Sequence, residues 1–244
     1  MILKRVSQAI RRQDWLAVLL EFIILIVGIF MGLQATSWNE ERQVEVSRME
    51  TLNLLQEETI ANLERINLRN RYYEERIAQL AVVADAVASG QLDPGDEAAF
   101  ERGLAQIQFF APVAIRDAAF VALQESGAIA ELNDKALLIE LADYRAQVDW
   151  TASQHRSFRN GISTLAEYWR PHVEHLRDPR PRVTTVRWQL DTFHEDTVAR
   201  SALIEVERMY EIFAGYIRSL GKETLALCEE LATRTGRPCE PPAS

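Results

Sequence analysis

The chain has 244 residues, with 27 Lys and Arg against 36 Asp and Glu and a net charge of −9, and it offers no basic stripe for phosphates, which excludes a nucleic-acid partner. Glycine (10) and proline (8) are sparse, a composition that favours long helices over sheet. Setting aside one membrane segment leaves about 200 residues, enough for one sizeable core.

Residues 1–14 read as a short basic tail, in which Lys4, Arg5, Arg11 and Arg12 face only Asp14. From Trp15 to Trp38 the chain is apolar except for Glu21, Gln34 and a small-residue end. A helix over 15–38 would span roughly 36 Å, enough to cross a hydrocarbon core of about 30 Å into the lipid bilayer's interfaces. Trp15 and Trp38 stand where interfacial aromatic anchors belong, and Glu40 and Glu41 follow the span. The positive-inside rule therefore predicts a cytoplasmic N-terminus and an external C-terminal domain. A cleaved signal peptide would have a shorter apolar run and an A-x-A-like site, and the nearest match, at Ala35, is poor. The Arg11-Arg12 pair is followed by polar residues, unlike a twin-arginine signal.

Within the span, Glu21, Leu25, Gly28, Gly32, Ala35 and Asn39 recur at steps of four and three and share one helix face. Gly28 and Gly32 form the G-x-x-x-G spacing that lets two membrane helices approach closely. An ionised Glu21 in hydrocarbon costs a few kcal/mol. This acid is expected to be protonated, paired or turned toward another protein helix. The face Glu21–Gly28–Gly32–Ala35–Asn39 thus predicts self-association or contact with another membrane protein.

The region 39–235 predicts an all-α domain: an elongated antiparallel helical bundle with coiled-coil-like long helices. Between Asn39 and Ser89 there is no proline or glycine, so this helix is expected to continue the membrane span unless it breaks near Trp38-Asn39-Glu40. Its apolar seam runs Leu52, Leu55, Thr59, Leu63, Ile66, Asn70, Tyr73, Ile77, Leu80, Ala84, Val87. A turn at Gly90–Asp96 precedes two shorter helices, Asp96–Phe110 and Val113–Glu125, split by Pro112. Asn133 or Asp134 caps a second long helix whose seam extends from Leu137 through His155 and Trp169 to His172 and Leu176, with Pro171 expected to kink or end it. Arg177–Arg182 is a loop. Val183–Leu190 is β-like in composition, with a loop or short helix equally consistent. A final helix covers Asp196 to Thr233, on a seam of Ala202, Val206, Met209, Phe213, Tyr216, Leu220 and Leu227. Residues 236–244 form a C-terminal tail.

The chemistry-bearing residues are few. His172 and His175, three apart, would share a helix face, close in sequence to His194, and these three are the metal-ligand candidates. They match no zinc pattern, and a hydrogen-bonded core histidine is the ordinary outcome, so no metal and no cofactor is expected. His155 lies on the apolar seam, where it would fix helix register. Neither a nucleophile motif nor a phosphate-binding glycine loop is present, so no catalytic residue is assigned and the chain is not expected to be an enzyme. Cys228 and Cys239 could close a disulfide in an oxidising compartment; their spacing fixes neither that outcome nor two free thiols.

The segment Glu21–Arg42, EFIILIVGIFMGLQATSWNEER, resembles the N-terminal signature of an uncharacterised family of bacterial single-pass membrane proteins. The matching positions are Glu21, Val27, Gly28, Ile29, Leu33, Gln34, Trp38, Asn39 and Glu40, with Ser37 where Asn is usual and Gly32 where Ala is common. Ala122–Val148 is similar to a second stretch of that family, a Ser-Gly pattern ahead of a Tyr-containing helix. Together they cover about a fifth of the chain. The resemblance implies a one-span anchor in the bacterial inner membrane and a helical periplasmic domain, and it implies no activity. A membrane-anchored interaction or scaffold protein is the leading expectation. The alternative is a ligand-sensing or accessory subunit that couples to a membrane partner through the Glu21 face, for which a polar-lined pocket near His155 or His172 would be the mark.

Overall fold

The computed structural model describes residues 15–177 and 184–240, with residues 15–18, 21, 35, 177 and 184 described in backbone only. In chain order the elements are α1 (Trp15–Ser89), α2 (Glu97–Gln106), α3 (Ala118–Glu125), α4 (Ala128–Glu131), α5 (Lys135–Trp169), a 3₁₀ turn (Arg170–His172), β1 (Val173–Arg177), β2 (Thr184–Trp188), α6 (Leu190–Glu195) and α7 (Thr197–Thr235). The protein is all-α in character, with one antiparallel hairpin that pairs Val173 with Trp188 and Arg177 with Thr184.

Two compact units divide at Glu50 and Thr51. In the first, α1 is helical through Trp38, Asn39 and Glu40. It carries exposed Leu19, Leu20, Phe22, Ile23, Ile24, Leu25, Ile26, Val27, Ile29, Phe30, Met31 and Leu33. An apolar surface on every side of a helix is costly in water, and this helix is long and apolar enough to cross a membrane. The tail 1–14 lies outside the described residues.

In the second unit, three long helices share a core. Contacts between α1 and α7 run in opposite order: Thr235 bonds Gln56, Gly221 adjoins Ile66, and Tyr210 packs on Tyr73. Rings fill the centre, where Phe158 stacks on Phe213 at 4.8 Å and Tyr73 meets Phe213 edge-on at 5.2 Å. A smaller cluster gathers Leu52, Leu55, Leu137, Leu141, Leu227 and Leu231. Asp134 caps α5 by accepting from Leu137 N at 3.1 Å, and Asp196 caps α7 by accepting from Val198 N and Ala199 N. Each cap contributes about 1 kcal/mol. Gly236, at φ 70°, ends α7 in the left-handed conformation.

The structure corrects several sequence expectations. The second long helix ends at Trp169, as expected of Pro171, which lacks an N–H donor and whose ring clashes with the preceding turn, so its seam does not reach His172 and Leu176. His172 therefore sits in a 3₁₀ turn and His175 and Leu176 on a strand, so His172 and His175 do not share a helix face. Of the three readings open for 183–190, the β-like one holds for Thr184–Trp188, strand β2, and what the sequence did not supply is its partner β1. The expected helix at 113–125 begins only at Ala118, and the one at 96–110 ends at Gln106.

Candidate functional site

The shortened helices leave residues 107–117 without a regular backbone ladder, and side chains of the neighbouring helices satisfy this segment instead. Tyr210 donates to the carbonyl of Ile107 at 2.9 Å, Tyr72 to that of Phe109 at 2.8 Å and Tyr73 to that of Ala111 at 3.2 Å. Further along, Arg65 donates to Ala114 O. Asn62 holds Arg116 twice, donating to its carbonyl and accepting from its N–H, each at 2.7 Å. Glu58 accepts from the N–H groups of Ala119 and Phe120 at the start of α3. The segment is thus a strap laced by polar groups to α1 and, through Tyr210, to α7.

Burial raises the affinity of the Tyr73 and Tyr210 phenols for their protons. Desolvation is the largest cause at Tyr73 and Tyr210, both pushed well above the ordinary phenol range. Tyr144, whose oxygen accepts from Asn62 Nδ2 at 3.2 Å, is pushed up to about 12, chiefly by burial. Tyr73 and Tyr210 therefore stay neutral donors to the strap throughout the physiological range.

Between strap, α5 and α7 lies a cleft of about 400 Å³. Val113, Ile115, Val148, Phe213 and Leu220 make its apolar walls, and Asp117, Arg145, Asp149, His155 and Arg156 supply its polar groups. Arg145 donates to Asp117 at 2.8 Å and lies 3.7 Å from Asp149, and the hydrogen bond to Asp117 holds its guanidinium above the usual range. His155 is packed against Phe213 at 5.4 Å, and its Nε2 is buried with no hydrogen-bond partner among the described residues. Desolvation, then the charges of Arg159 and Arg69, lower its pKa from the ordinary 6.5.

This lowered value sets a pH dependence. The unfolded chain takes up a proton at this site sooner than the folded protein does as pH falls. Stability contributed here is intact above pH 6.5 and declines as pH falls below it, until the folded value is reached. We expect His155→Phe to show a smaller loss of stability than wild type between neutral and mildly acidic pH. Denaturant titrations across that range check this, and parallel curves would refute it.

The other sequence candidates are dispersed. His172 Nε2 lies 3.0 Å from Asp196 Oδ2, beside the α7 cap. His194 Nδ1 contacts the carbonyl of Val87 at 2.9 Å, and His175 is exposed opposite Val186. Among the described residues no group of three His, Cys, Asp or Glu could hold a metal ion. In the first unit Gly28 and Gly32 have open space where a Cβ would stand, and Trp38 and Asn39 are exposed. The side chains of Trp15, Glu21 and Ala35 lie outside the described residues. Cys228 is fully buried and is joined to Cys239, with Cα atoms 5.8 Å apart. Beside this bridge, Gln56 donates to the carbonyl of Arg237 at 2.9 Å, and Arg237 donates to Glu57 at 3.0 Å.

Sequence reasoning missed the residues that build the strap. Asn62, which holds the strap, and Gln56, which holds the C-terminal tail, are buried polar groups that fall off the apolar seam, so periodicity assigns them to the surface. Only the proline at 112, which forbids a regular ladder there, signalled that nearby backbone would need side-chain partners. Comparison of the chain with protein-family models, with curated proteins and with solved structures found no match.

Proposed function

We propose that this chain is a membrane-anchored, non-enzymatic interaction protein of the bacterial inner membrane. In this reading residues 15–38 cross the bilayer, the basic tail is cytoplasmic and the domain that follows is a periplasmic antiparallel bundle with coiled-coil-like helices. The observation that carries it is the unbroken run of exposed apolar side chains from Phe22 to Val27 and on to Leu33, which needs lipid or protein around it. A bridge between Cys228 and Cys239 suits an oxidising exterior. The resemblance of Glu21–Arg42 to the bacterial single-pass family agrees with both.

Self-association runs through the face of Glu21, Gly28, Gly32, Ala35 and Asn39. The two glycines are open to an approaching helix, and close backbone packing gains dispersion and weak polar contacts in lipid. The test is crosslinking and affinity isolation of the full-length protein from its native membrane. Wild type is expected to yield a dimer or larger species, and Gly28→Leu with Gly32→Leu is expected to reduce that yield at least about tenfold, the effect of losing a contact worth roughly 1.4 kcal/mol. Glu21→Gln separates a contact from a proton site, since it should spare assembly if the acid is protonated in the membrane. Recovery of monomer alone from wild type would overturn self-association. Protease digestion of the domain in sealed spheroplasts tests its periplasmic placement, which protection would refute.

A further inference from the structure

The cleft between strap, α5 and α7 has the size of a small-molecule site, and its charges are not arranged evenly. At one end Arg145 is already held between Asp117 and Asp149. This guanidinium is committed, and the acids beside it repel an anion. Ten residues further along α5, roughly three turns on, stands His155, with Arg156 adjoining it in the lining. Arg159 and Arg69 add positive potential at the same imidazole. Arg156 is exposed and has no ion-pair partner among the described residues. One end of the cleft is therefore cationic, in a chain whose net charge is −9.

The body of the cleft is apolar. Val113, Ile115, Val148, Phe213 and Leu220 line it, and the strap overhead is fixed by its bonds to Asn62, Arg65 and Tyr73. A rigid apolar slot with one positive end selects a compact ligand with one anionic end. We propose that this cleft binds a small amphipathic carboxylic acid, its carboxylate at the His155–Arg156 end and its apolar body between the strap and Phe213.

The inference extends the sensing alternative raised by the sequence and does not depend on self-association through α1. Benzoate is the probe, with benzyl alcohol and benzamidine as neutral and cationic ligands of similar shape. Full-length protein in detergent is titrated by calorimetry, and the ¹⁵N resonances of labelled histidine are followed in parallel. Benzoate is expected to bind about tenfold or more tighter than benzyl alcohol, the ratio one charge-assisted contact supplies, and to move the His155 resonances. Ala152, exposed and lining the cleft, offers a blocking variant that leaves the core alone. Ala152→Phe should abolish binding, and Arg156→Gln should remove the preference for benzoate over the alcohol. Absence of benzoate binding, equal or tighter binding of benzamidine, or binding indifferent to Ala152→Phe would each overturn the proposal. None of these outcomes changes the crosslinking result, so the two readings fail separately.

Discussion

Phe213→Ala is expected to destabilise the helical domain by about 3–5 kcal/mol, the cost of deleting a buried ring whose site cannot collapse. Phe213 is 1 % exposed and touches rings from both other long helices. It stacks on Phe158 of α5 and meets Tyr73 of α1, while His155 and Tyr216 lie against its other edges. Those neighbours are themselves constrained. The phenol of Tyr73 is bonded to the strap, so its ring cannot move into the vacancy without leaving Ala111 O unpaired. Chemical denaturation of wild type and variant measures the effect. A loss below about 1.5 kcal/mol, typical of volume-conserving swaps, would show that the aromatic centre is looser than the ring geometry indicates.

Cys239→Ser is expected to cost about 2–3 kcal/mol by freeing the closed loop in the unfolded chain, where a cross-link removes conformational entropy. The sequence separation is 11 residues, which places the effect in the lower part of the range for disulfides. Cys239 is the better site for substitution, because Cys228 is fully buried and a serine there would add an unpaired hydroxyl to the core. The bridge also holds the tail in register with α1, where Gln56 accepts from Thr235 and donates to Arg237 O. Loss of the bridge should therefore increase proteolysis and amide exchange around 232–240 before the rest of the domain. Thermal unfolding with and without reductant is the check. A wild-type Tm unchanged by reduction, with Cys239→Ser equally stable, would remove the staple from the account.

The apolar span, the first long helix and the last were legible from the sequence, because each carries a long uninterrupted helical pattern. Ser89 and Gly90, and Asp196 and Gly236, lie at or beside observed ends for the reasons that turn and cap chemistry supplies. The width of the buried faces was not legible. The seam on α7 omits Leu203, Tyr210, Ile217 and Leu231, all of which are buried. A two-helix seam describes contact with one neighbour, whereas α7 is covered by α1 and α5 and buries a broader face.

The hairpin and the strap lie beyond the reach of periodicity for a different reason. Strand β2 is stable only beside β1, and its identity depends on pairing rather than on local propensity. The irregular segment 107–117 exists because Tyr72, Tyr73, Tyr210, Asn62 and Arg65 reach its backbone from helices far away in sequence.

By itself the sequence determined that the chain is helical and that one segment is apolar enough for a membrane, since both follow from composition and local period. Only the tertiary structure decided that His172 and His175 part company at Pro171, that a buried amide and several phenols hold a strap, and that a cleft opens beside His155. Those features depend on which polar groups meet across the fold, and a polar residue reads the same in a sequence whether it faces water or a buried carbonyl.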